Sequence, residues 1–442
     1  MNHLVLAVEA WMKALESYTM SLSEDSIWLP FFGILNQVPQ EVWLAVSMFL
    51  SASMILGMII APIAGFSTFV ERRVAGRIQA RIGCNRVGPE GLLQFLVDGV
   101  KLMSKEDHIP QGADRFLFKL APYFLILGAF MSFACLPFGK YIVVSNINVG
   151  ILYLLAVSSL VVIGILLAGW SSNNKWSLLG AMRSAAQIVS YEVPLGMSLM
   201  IPVMLVGSLS LAHLNRYQAE GFSSWLIFAA GPFTFIAFFV YFISALAEVN
   251  RTPFDLPEAE SELVSGYNTE YSGIRWGLFF VAEYANMFLI GGIATTAFLG
   301  GWQKSVANIP FLVFSLFFIF FALLKIVFYG PAFVQSLGRK KGVLFALAHT
   351  KVRSFSKPLV LVLLFLSVLS SVGLHVLSDF WLVSFFVFIS KSYFFVFIIM
   401  WIRWTLPRYR VDQMMDLCWK RFTPLMFVCV MGTALWMLWS QR

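Results

Sequence analysis

The chain has little charge for its length. Only 12% of its 442 residues are charged, and its 23 acidic residues are outnumbered by 31 Lys and Arg. Soluble domains carry about 25% charged residues. A soluble fold of this composition would therefore leave large apolar patches exposed to water. The shortage of charge argues against a soluble globular protein.

The chain also has few cysteines, and they are far apart: Cys84, Cys135, Cys418 and Cys429. None belongs to a Cys-x-x-Cys pair, so the sequence argues against an iron–sulfur or zinc site on this chain. We interpret the four cysteines as small apolar side chains. The net charge of +8 comes from cations spread over several loops, with no basic face interleaved with aromatics. This pattern argues against nucleic acid as a partner.

Long apolar segments are abundant. Hydrophobic residues make up 59% of the chain, and a membrane crossing by a helix needs about 20 of them in succession. Ten segments meet this length, near 42–69, 117–137, 147–169, 193–211, 225–247, 276–299, 309–330, 358–377, 381–402 and 422–439. Their continuous apolarity fits helices and not the alternating strands of a barrel. We predict an all-α polytopic membrane protein with about ten transmembrane helices.

The distribution of Lys and Arg predicts the orientation of these spans. If both termini lie outside, the inner loops are 70–116, 170–192, 248–275, 331–357 and 403–421. These loops hold most of the 31 cations of the chain, as the preference of cytoplasmic loops for positive charge requires. The same orientation places the loop 248–275 on the inner side.

That inner loop and its flanks carry an unusual concentration of acid. Seven of the 23 acidic residues lie between positions 248 and 283: Glu248, Asp255, Glu258, Glu260, Glu262, Glu270 and Glu283. Carboxylates in or beside a bilayer are unfavourable, and they are usually kept for proton, ion or polar-substrate handling. Glu192, at the start of the fourth predicted span, is a further candidate. The alternatives are a solvated acidic loop that docks a basic partner and, for Glu192, an interfacial acid paired to an arginine.

Arginines recur in the first inner loop, at positions 72, 73, 77, 81 and 86. They could anchor the loop to anionic lipid, or they could pair with acidic loops or with a soluble partner. The following segment 89–103 has apolar residues at helical spacing, interrupted by Asp98 and Lys101, and Pro89 stands where a helix can begin. It predicts an amphipathic helix on the inner interface. Residues 1–18 could form another interfacial helix.

These loops together resemble one family of membrane proteins, the H subunits of NADH:quinone oxidoreductase, respiratory complex I. The first motifs are Glu71-Arg-Arg73, Arg81-Ile-Gly-x-Asn-Arg-Val-Gly-Pro89, Asp98-Gly-x-Lys101 and Ser190-Tyr-Glu192. The later ones are Asn250-Arg-x-Pro-Phe-Asp-Leu-Pro-Glu-Ala-Glu260, Gly266-Tyr-x-x-Glu-Tyr-Ser-Gly273, Ala282-Glu-Tyr284 and Trp401-x-Arg-x-Thr-Leu-Pro-Arg-Tyr-Arg410. The resemblance covers roughly 42–302 and 381–442.

The resemblance implies a position where the hydrophilic arm of the complex meets the membrane arm. The chain would form the membrane-side wall and entrance of the quinone chamber, with the entrance between the first span, the helix at 89–103 and the sixth span. An acidic path would lead from the chamber into the membrane arm through Glu192, Glu248, Glu258, Glu260, Glu262, Glu270 and Glu283. Arg251 and Asp255 would organise the acidic loop. Arg72, Arg73, Arg81, Arg86, Asp98 and Lys101 are candidates for organising the first inner loop.

The resemblance also implies cofactors, partners and location. The chain would bind no redox cofactor, with quinone as substrate and with NADH, FMN and iron–sulfur clusters on partner subunits. Partners would be peripheral-arm subunits of the quinone site, small membrane-arm subunits and membrane lipid. A transit segment is not evident, which favours a bacterial inner membrane over an imported organellar protein, although an organelle-encoded chain would also lack one. Related subunits of membrane-bound hydrogenases, or of reductases fed by other donors, are an alternative. A stand-alone secondary transporter is another, although no internal repeat supports it.

The sequence departs from the family pattern in three ways. Cys84 replaces the usual Pro and Val249 replaces the usual Thr, but neither change removes a charge. The third departure is the count of spans, since the family typically has eight. We therefore predict an N-terminal extension (1–41), six core helices (42–302), an inserted transmembrane hairpin (303–380) and two last core helices (381–442).

Overall fold

A computed structural model describes residues 40–140, 142–220, 224–257, 260–303 and 381–440. The chain divides into two compact units, Met1–Ile63 and Ala64–Arg442. In the first unit the described residues, 40–63, are helical. The second unit contains the remaining elements. The predicted inserted hairpin and the possible helix at 1–18 lie outside the described residues.

Every regular element in the described residues is helical. In chain order the helices are α1 Gln40–Ile78, α2 Gln94–Ser104, α3 Arg115–Ala134, α4 Gly150–Ser171, α5 Lys175–Val206, α6 Leu211–Tyr217, α7 Leu226–Ala229, α8 Pro232–Glu248, α9 Glu260–Leu263, α10 Gly273–Phe298, α11 Trp381–Thr405, α12 Val411–Asp416 and α13 Thr423–Ser440. Short 3-10 turns cover Pro89–Gly91, Gln218–Glu220 and Gly266–Asn268, and a π-helical turn covers Leu417–Phe422. The prediction of an all-α polytopic membrane protein is confirmed.

Six stretches in the described residues are long and apolar enough to cross a membrane. They are Arg115–Ala134, Gly150–Ser171, Lys175–Val206, Gly273–Phe298, Ser384–Thr405 and Val411–Trp439. Helix α8 is apolar but shorter, at 17 residues. It is preceded by the short helix α7 and by Gly231, whose φ of 57° turns the chain. The predicted span 225–247 is therefore broken near its start.

Helix α5 corrects one predicted boundary. We expected an inner loop over 170–192 and a span from 193, but the helix begins at Lys175. Asn174 caps it, because its side-chain oxygen accepts the N–H of Trp176 at 3.0 Å. The first turns bury Ser177, Ala181 and Ser184 on one side, at the spacing of a helix face. At 1.5 Å per residue, the 32 residues extend over about 48 Å, well beyond the hydrocarbon layer.

The segment predicted as one amphipathic helix over 89–103 has two parts. A 3-10 turn ends at Gly91, whose φ of 81° lies in the left-handed region, and α2 begins at Gln94. In α2, Leu96, Val97, Val100 and Met103 are exposed, which fits a helix at the membrane interface. Phe95 packs directly on Gly65 of α1, and Leu102 packs on Gly277 of α10. Helix α2 therefore lies against both α1 and α10.

The remaining helices pack around α5 and α10. Helix α5 contacts α4, α8 and α13, and α10 contacts α3, α8 and α11. Helix α10 is the most buried of the six membrane-length helices, with 72% of its apolar window inside the protein. Most side chains of α10 consequently face the protein interior.

Candidate functional site

The loop after α8 is held in place by a side chain of α5. The amide Nε2 of Gln187, which is fully buried, donates to the carbonyl oxygens of Ala247 and Phe254, both at 2.7 Å. It also lies 3.1 Å from the Oδ1 of Asn250. Asn250 has a φ of 55°, a left-handed conformation that Asn tolerates better than most residues. The turn at Asn250 directs the next residue, Arg251, into the protein.

Arg251 lies between two carboxylates from different helices. Its Nη1 is 3.0 and 3.1 Å from the two carboxylate oxygens of Glu71 in α1. Its Nε is 2.6 Å from Oε1 of Glu283 in α10. Its guanidinium also lies 4.5 Å from the ring centroid of Tyr284, a cation–π distance. The side chains of Arg251, Glu71 and Glu283 are only 2%, 5% and 16% exposed. These are charges enclosed by the fold.

Glu71 has two further partners. Tyr284 donates its hydroxyl to Oε2 of Glu71 at 2.6 Å, and Arg403 of α11 forms a short ion pair with Oε1. The loop residue Arg251 and three helices, α1, α10 and α11, thus converge on one carboxylate. We call the five residues Glu71, Arg251, Glu283, Tyr284 and Arg403 the Glu71 cluster.

Charge is balanced in the Glu71 cluster, with two guanidinium groups opposite two carboxylates. Burial alone lowers the pKa of Arg251, but the carboxylates of Glu283 and Glu71 raise it above its ordinary value. Arg251 therefore stays protonated at any physiological pH. A proton that enters or leaves this cluster must do so on a carboxylate or on a tyrosine.

A second pair of carboxylates lies between α5 and α8. Glu192 of α5 and Glu248 of α8 are close enough to interact electrostatically. Glu248 lines a cavity of about 30 Å³, together with the polar side chains of Ser158, Tyr241 and Asn286. A water molecule needs about 10–15 Å³ and two or more polar partners. The cavity therefore has room for water beside Glu248.

Asp255 connects the acidic loop to the segment after α11. Its Oδ2 is 3.2 Å from an Nη2 of Arg408. The next residue along that segment, Tyr409, donates its backbone N–H to the carbonyl of Pro253 at 3.0 Å, and its ring stacks on Phe254. The prediction that Asp255 organises the loop stays a prediction, and these contacts support it.

Two other predicted acids of this region, Glu262 and Glu270, lie apart from the Glu71 cluster. Glu262 is exposed and pairs with Arg183 at 2.8 Å. Glu270 accepts a hydrogen bond from Asn174 at 2.7 Å, beside an open polar depression. Glu260 opens helix α9, and Glu258 lies outside the described residues. The structure brings Glu262 and Glu270 to separate hydrogen-bonded positions.

Four of the six candidates of the first inner loop form ion pairs in α2 or in the turn before it. Arg72 of α1 is 2.5 Å from Asp98 of α2, and Lys101 is 3.9 Å from the same carboxylate. Arg73 pairs with Glu90 at 3.5 Å and also donates to its backbone carbonyl. Two candidates lie elsewhere: the exposed Arg81 donates to Gln79, and Arg86 is exposed.

Sequence reasoning missed four residues of this region: Glu71, Tyr284 and Arg403 of the Glu71 cluster, and Arg408 beside Asp255. Glu71 and Arg403 both stand in motifs that carry the family resemblance, yet neither was predicted as a site residue. Arg408 pairs with Asp255 and was missed as well. Their partners lie 180, 332 and 153 residues away along the chain. An intramembrane or boundary charge with no local partner is the signal that could have identified them. Within the described residues, no group of three or more His, Cys, Asp or Glu could hold a metal ion.

Comparisons with known proteins agree with one another. The model of a family described as NADH dehydrogenase matches residues 50–334 and 338–434. The H subunit of the NADH-quinone oxidoreductase of Anaeromyxobacter dehalogenans is 43% identical over 90% of this chain and 84% of its own length. The H subunit of the same enzyme from Chlorobaculum parvum is 39% identical over 90% of this chain and 94% of its own length. The H subunit from Bacteroides thetaiotaomicron is 41% identical over 81% of this chain and 82% of its own length.

Proposed function

The chain belongs to the NADH dehydrogenase family, and from this premise we propose that it forms the membrane side of a quinone-binding chamber and couples quinone reduction to proton translocation. Relatives at about 40% identity are named as the H subunit of NADH-quinone oxidoreductase, so the chain is a membrane component of an oxidoreductase complex of the complex I type. It is a multi-pass protein, and the bacterial origin of these relatives supports the inner membrane as its location.

The observation that carries the proposal is the Glu71 cluster. Buried ion pairs are a poor source of stability, since removing two charges from water offsets most of their attraction. Ionisable groups within membrane helices are usually retained for transport of protons or ions. Reduction of a quinone to a quinol takes up equal numbers of electrons and protons. Groups around the chamber that gave up those protons would be left negatively charged, and proton uptake through nearby carboxylates would restore them. The Glu71 cluster can respond to such a change because both of its acids already contact Arg251.

Glu283 is the member of the cluster best suited to exchange a proton. Its side chain is 16% exposed, against 5% for Glu71, and Glu71 has three partners to hold its charge. Protonation of Glu283 would weaken its contact with Arg251 and leave that guanidinium to Glu71 alone. The proton would then pass toward Glu248 and Glu192, where the cavity beside Glu248 has room for water.

Helix α2 supplies the other half of the proposal, an entrance for a lipid-soluble substrate. It presents apolar side chains outward and packs on α1 and α10, the helices that carry Glu71 and Glu283. Quinone would enter beside α2 from the bilayer. Electrons would come from an iron–sulfur cluster on a peripheral-arm subunit, and NADH and FMN would likewise bind on partner subunits.

A photoreactive quinone analogue tests the chamber in the assembled complex. We expect cross-links in α2 and in the parts of α1 and α10 that flank it, and we expect excess quinone to suppress them. Helix α13 is the internal control, because its exposed residues Leu435, Leu438 and Trp439 report simple partition into lipid. If excess quinone reduces the labelling of α2 no more than it reduces the labelling of α13, the result contradicts a quinone chamber beside α2.

A further inference from the structure

Helix α5 contains a proline two residues after Glu192. Proline has no N–H, so Pro194 cannot donate to the carbonyl of Ser190, four residues earlier. A carbonyl without a donor is especially unfavourable within a membrane protein, where water seldom replaces the lost bond. The turn of α5 that carries Glu192 therefore needs a donor from another part of the chain.

The thiol of Cys418 provides that donor. Its Sγ lies 3.1 Å from the carbonyl oxygen of Ser190 and donates to it. Cys418 is 0% exposed, so the bond is shielded from water. Although a thiol is a weak donor, this one reaches the carbonyl that lost its helical partner to Pro194.

Neighbouring contacts fix the same stretch of chain on α5. The hydroxyl of Tyr191 donates to the carbonyl of Met414 at 3.0 Å. The hydroxyl of Ser190 lies 3.6 Å from the sulfur of Met415, and the rings of Tyr191 and Phe422 meet edge to face at 6.5 Å. Residues that precede Cys418 in the sequence (Met414 and Met415) and one that follows it (Phe422) thus contact α5 and hold Cys418 against it.

The backbone around Cys418 is itself unusual. It belongs to the π-helical turn Leu417–Phe422, and its carbonyl accepts both the N–H and, at 3.0 Å, the hydroxyl of Thr423. π-Helical turns are rare and occur often at functional sites. Here the turn lies directly against the proline break of α5.

Glu192 depends on this backbone for its position. Its Oε1 is buried and has no hydrogen-bond partner in the part of the chain that the structure describes. With that oxygen unpartnered, the location of the carboxylate follows from the backbone between Ser190 and Pro194. Any change in that turn moves the carboxylate relative to Glu248.

We propose that Cys418 is a positioning residue for Glu192. Its thiol replaces the hydrogen bond that Pro194 removes from α5, and it thereby fixes the position of the Glu192 carboxylate relative to Glu248. The role assigned to Glu192 rests on the proposed function, whereas the hydrogen bond between Cys418 and Ser190 does not.

Substitution of Cys418 in the assembled complex tests the positioning role. We expect Cys418→Ala to lower the number of protons pumped per quinone reduced, and to lower coupled turnover by about tenfold, the effect of one lost buried hydrogen bond. Cys418→Ser keeps a donor and should retain most of the activity. Cys429→Ala is the matched control, because Cys429 is also buried and lies on the adjoining helix α13. It should behave like wild type.

A second variant separates this role from general packing. Pro194→Ala restores a backbone N–H that can reach the Ser190 carbonyl, so Cys418→Ala should have little further effect in that background. The two substitutions are therefore expected to be strongly non-additive. If Cys418→Ala alone fails to assemble, assembly of the Pro194→Ala, Cys418→Ala double variant supports the proposal and its failure overturns it.

The S–H stretching band in the infrared spectrum gives a readout independent of activity. Difference spectra between wild type and Cys418→Ala should show a hydrogen-bonded thiol, and Pro194→Ala should move that band toward the free-thiol frequency. Wild-type pumping by Cys418→Ala, or equal losses in both backgrounds, would overturn the proposal. If Glu192→Gln pumps normally while the band shift persists, the role of Glu192 in the proposed function is at fault and not the hydrogen bond.

Discussion

Arg251 joins two carboxylates that are far apart in the sequence. It contacts Glu71 and Glu283, and its side chain is 2% exposed. Removing one partner of a buried ion pair destabilises a protein far more than replacing both partners with apolar residues, because the remaining charge stays buried without compensation. In this cluster, loss of Arg251 would leave Glu283 without its ion-pair partner, whereas Glu71 would keep Arg403 and Tyr284.

We expect Arg251→Met to destabilise the protein by about 3–5 kcal/mol, the usual penalty for an uncompensated buried charge. The measurement is the amount of assembled complex that survives stepwise heating in detergent. Lys420→Met is the control, because Lys420 forms an exposed pair with Asp416 in which both side chains are more than 60% exposed. Exposed pairs contribute about 0–1 kcal/mol. Equal heat resistance of the two variants would show that the cluster is not a buried charge network.

The sequence predicted the acids of this region better than their partners. Arg251, Glu283 and Asp255 were predicted as site residues, and the structure places each of them in an ion pair. Glu71 and Arg403 could not be paired from the sequence, because 332 residues separate them and only the packing of α1 on α11 brings them together. Helical periodicity gives the face of a helix but not its neighbour across the bundle.

At the scale of elements, boundaries were harder to predict than spans. The apolar core of α5 was predicted, but the helix begins 18 residues earlier, because Asn174 caps it and polar residues 177–187 are buried against other helices. A hydropathy pattern reports contact with lipid and therefore underestimates a helix whose end is buried in protein. The predicted inner loop 403–421 is also mostly helical, as α12 and a π-helical turn.

Close packing of α10 on α11 gives a prediction for one glycine. A Cβ at Gly291 would lie 2.7 Å from the backbone carbonyl oxygen of Ser392, so Gly291→Ala must separate the two helices that carry Glu283 and Arg403. We expect less assembled complex and lower turnover. Gly196→Ala is the control, because a Cβ there meets only Leu155 at 3.8 Å, and alanine is favoured over glycine in a helix by about 1 kcal/mol.

Western blotting of native gels measures assembly for both glycine variants. If Gly291→Ala and Gly196→Ala assemble equally and turn over at the same rate, the α10–α11 contact is less tight than the structure indicates.

At the scale of the whole molecule, the described helices carry two separate acidic groups, joined by the loop that follows α8. The Glu71 cluster lies where α1, α10 and α11 meet the loop after α8, and Glu248 and Glu192 lie where α8 meets α5. The loop that contains Arg251 follows directly from Glu248, and the amide of Gln187 on α5 fixes that loop. Under the proposed function, a change at Glu283 would reach Glu248 through this short segment, which Gln187 holds by hydrogen bonds.

The topology of this arrangement could be predicted in outline. The described helices agree with the predicted spans from 117 to 299 and from 381 to 439, apart from the boundaries discussed above. The predicted hairpin over 303–380, the total of ten spans and the N-terminal extension stay predictions. Family resemblance supplied the proposed function, because no pattern of helices by itself distinguishes a quinone chamber from another polar cavity in a membrane.

Proton pumping by a Glu283→Gln variant tests the central claim most directly. Glutamine preserves size and hydrogen bonding but cannot exchange a proton, so complexes reconstituted into liposomes should lose most of their quinone-linked proton pumping while NADH oxidation by an artificial electron acceptor continues. Asp416→Asn, an exposed acid paired only with Lys420 in the described residues, should pump like wild type. Wild-type pumping by an assembled Glu283→Gln complex would contradict the account.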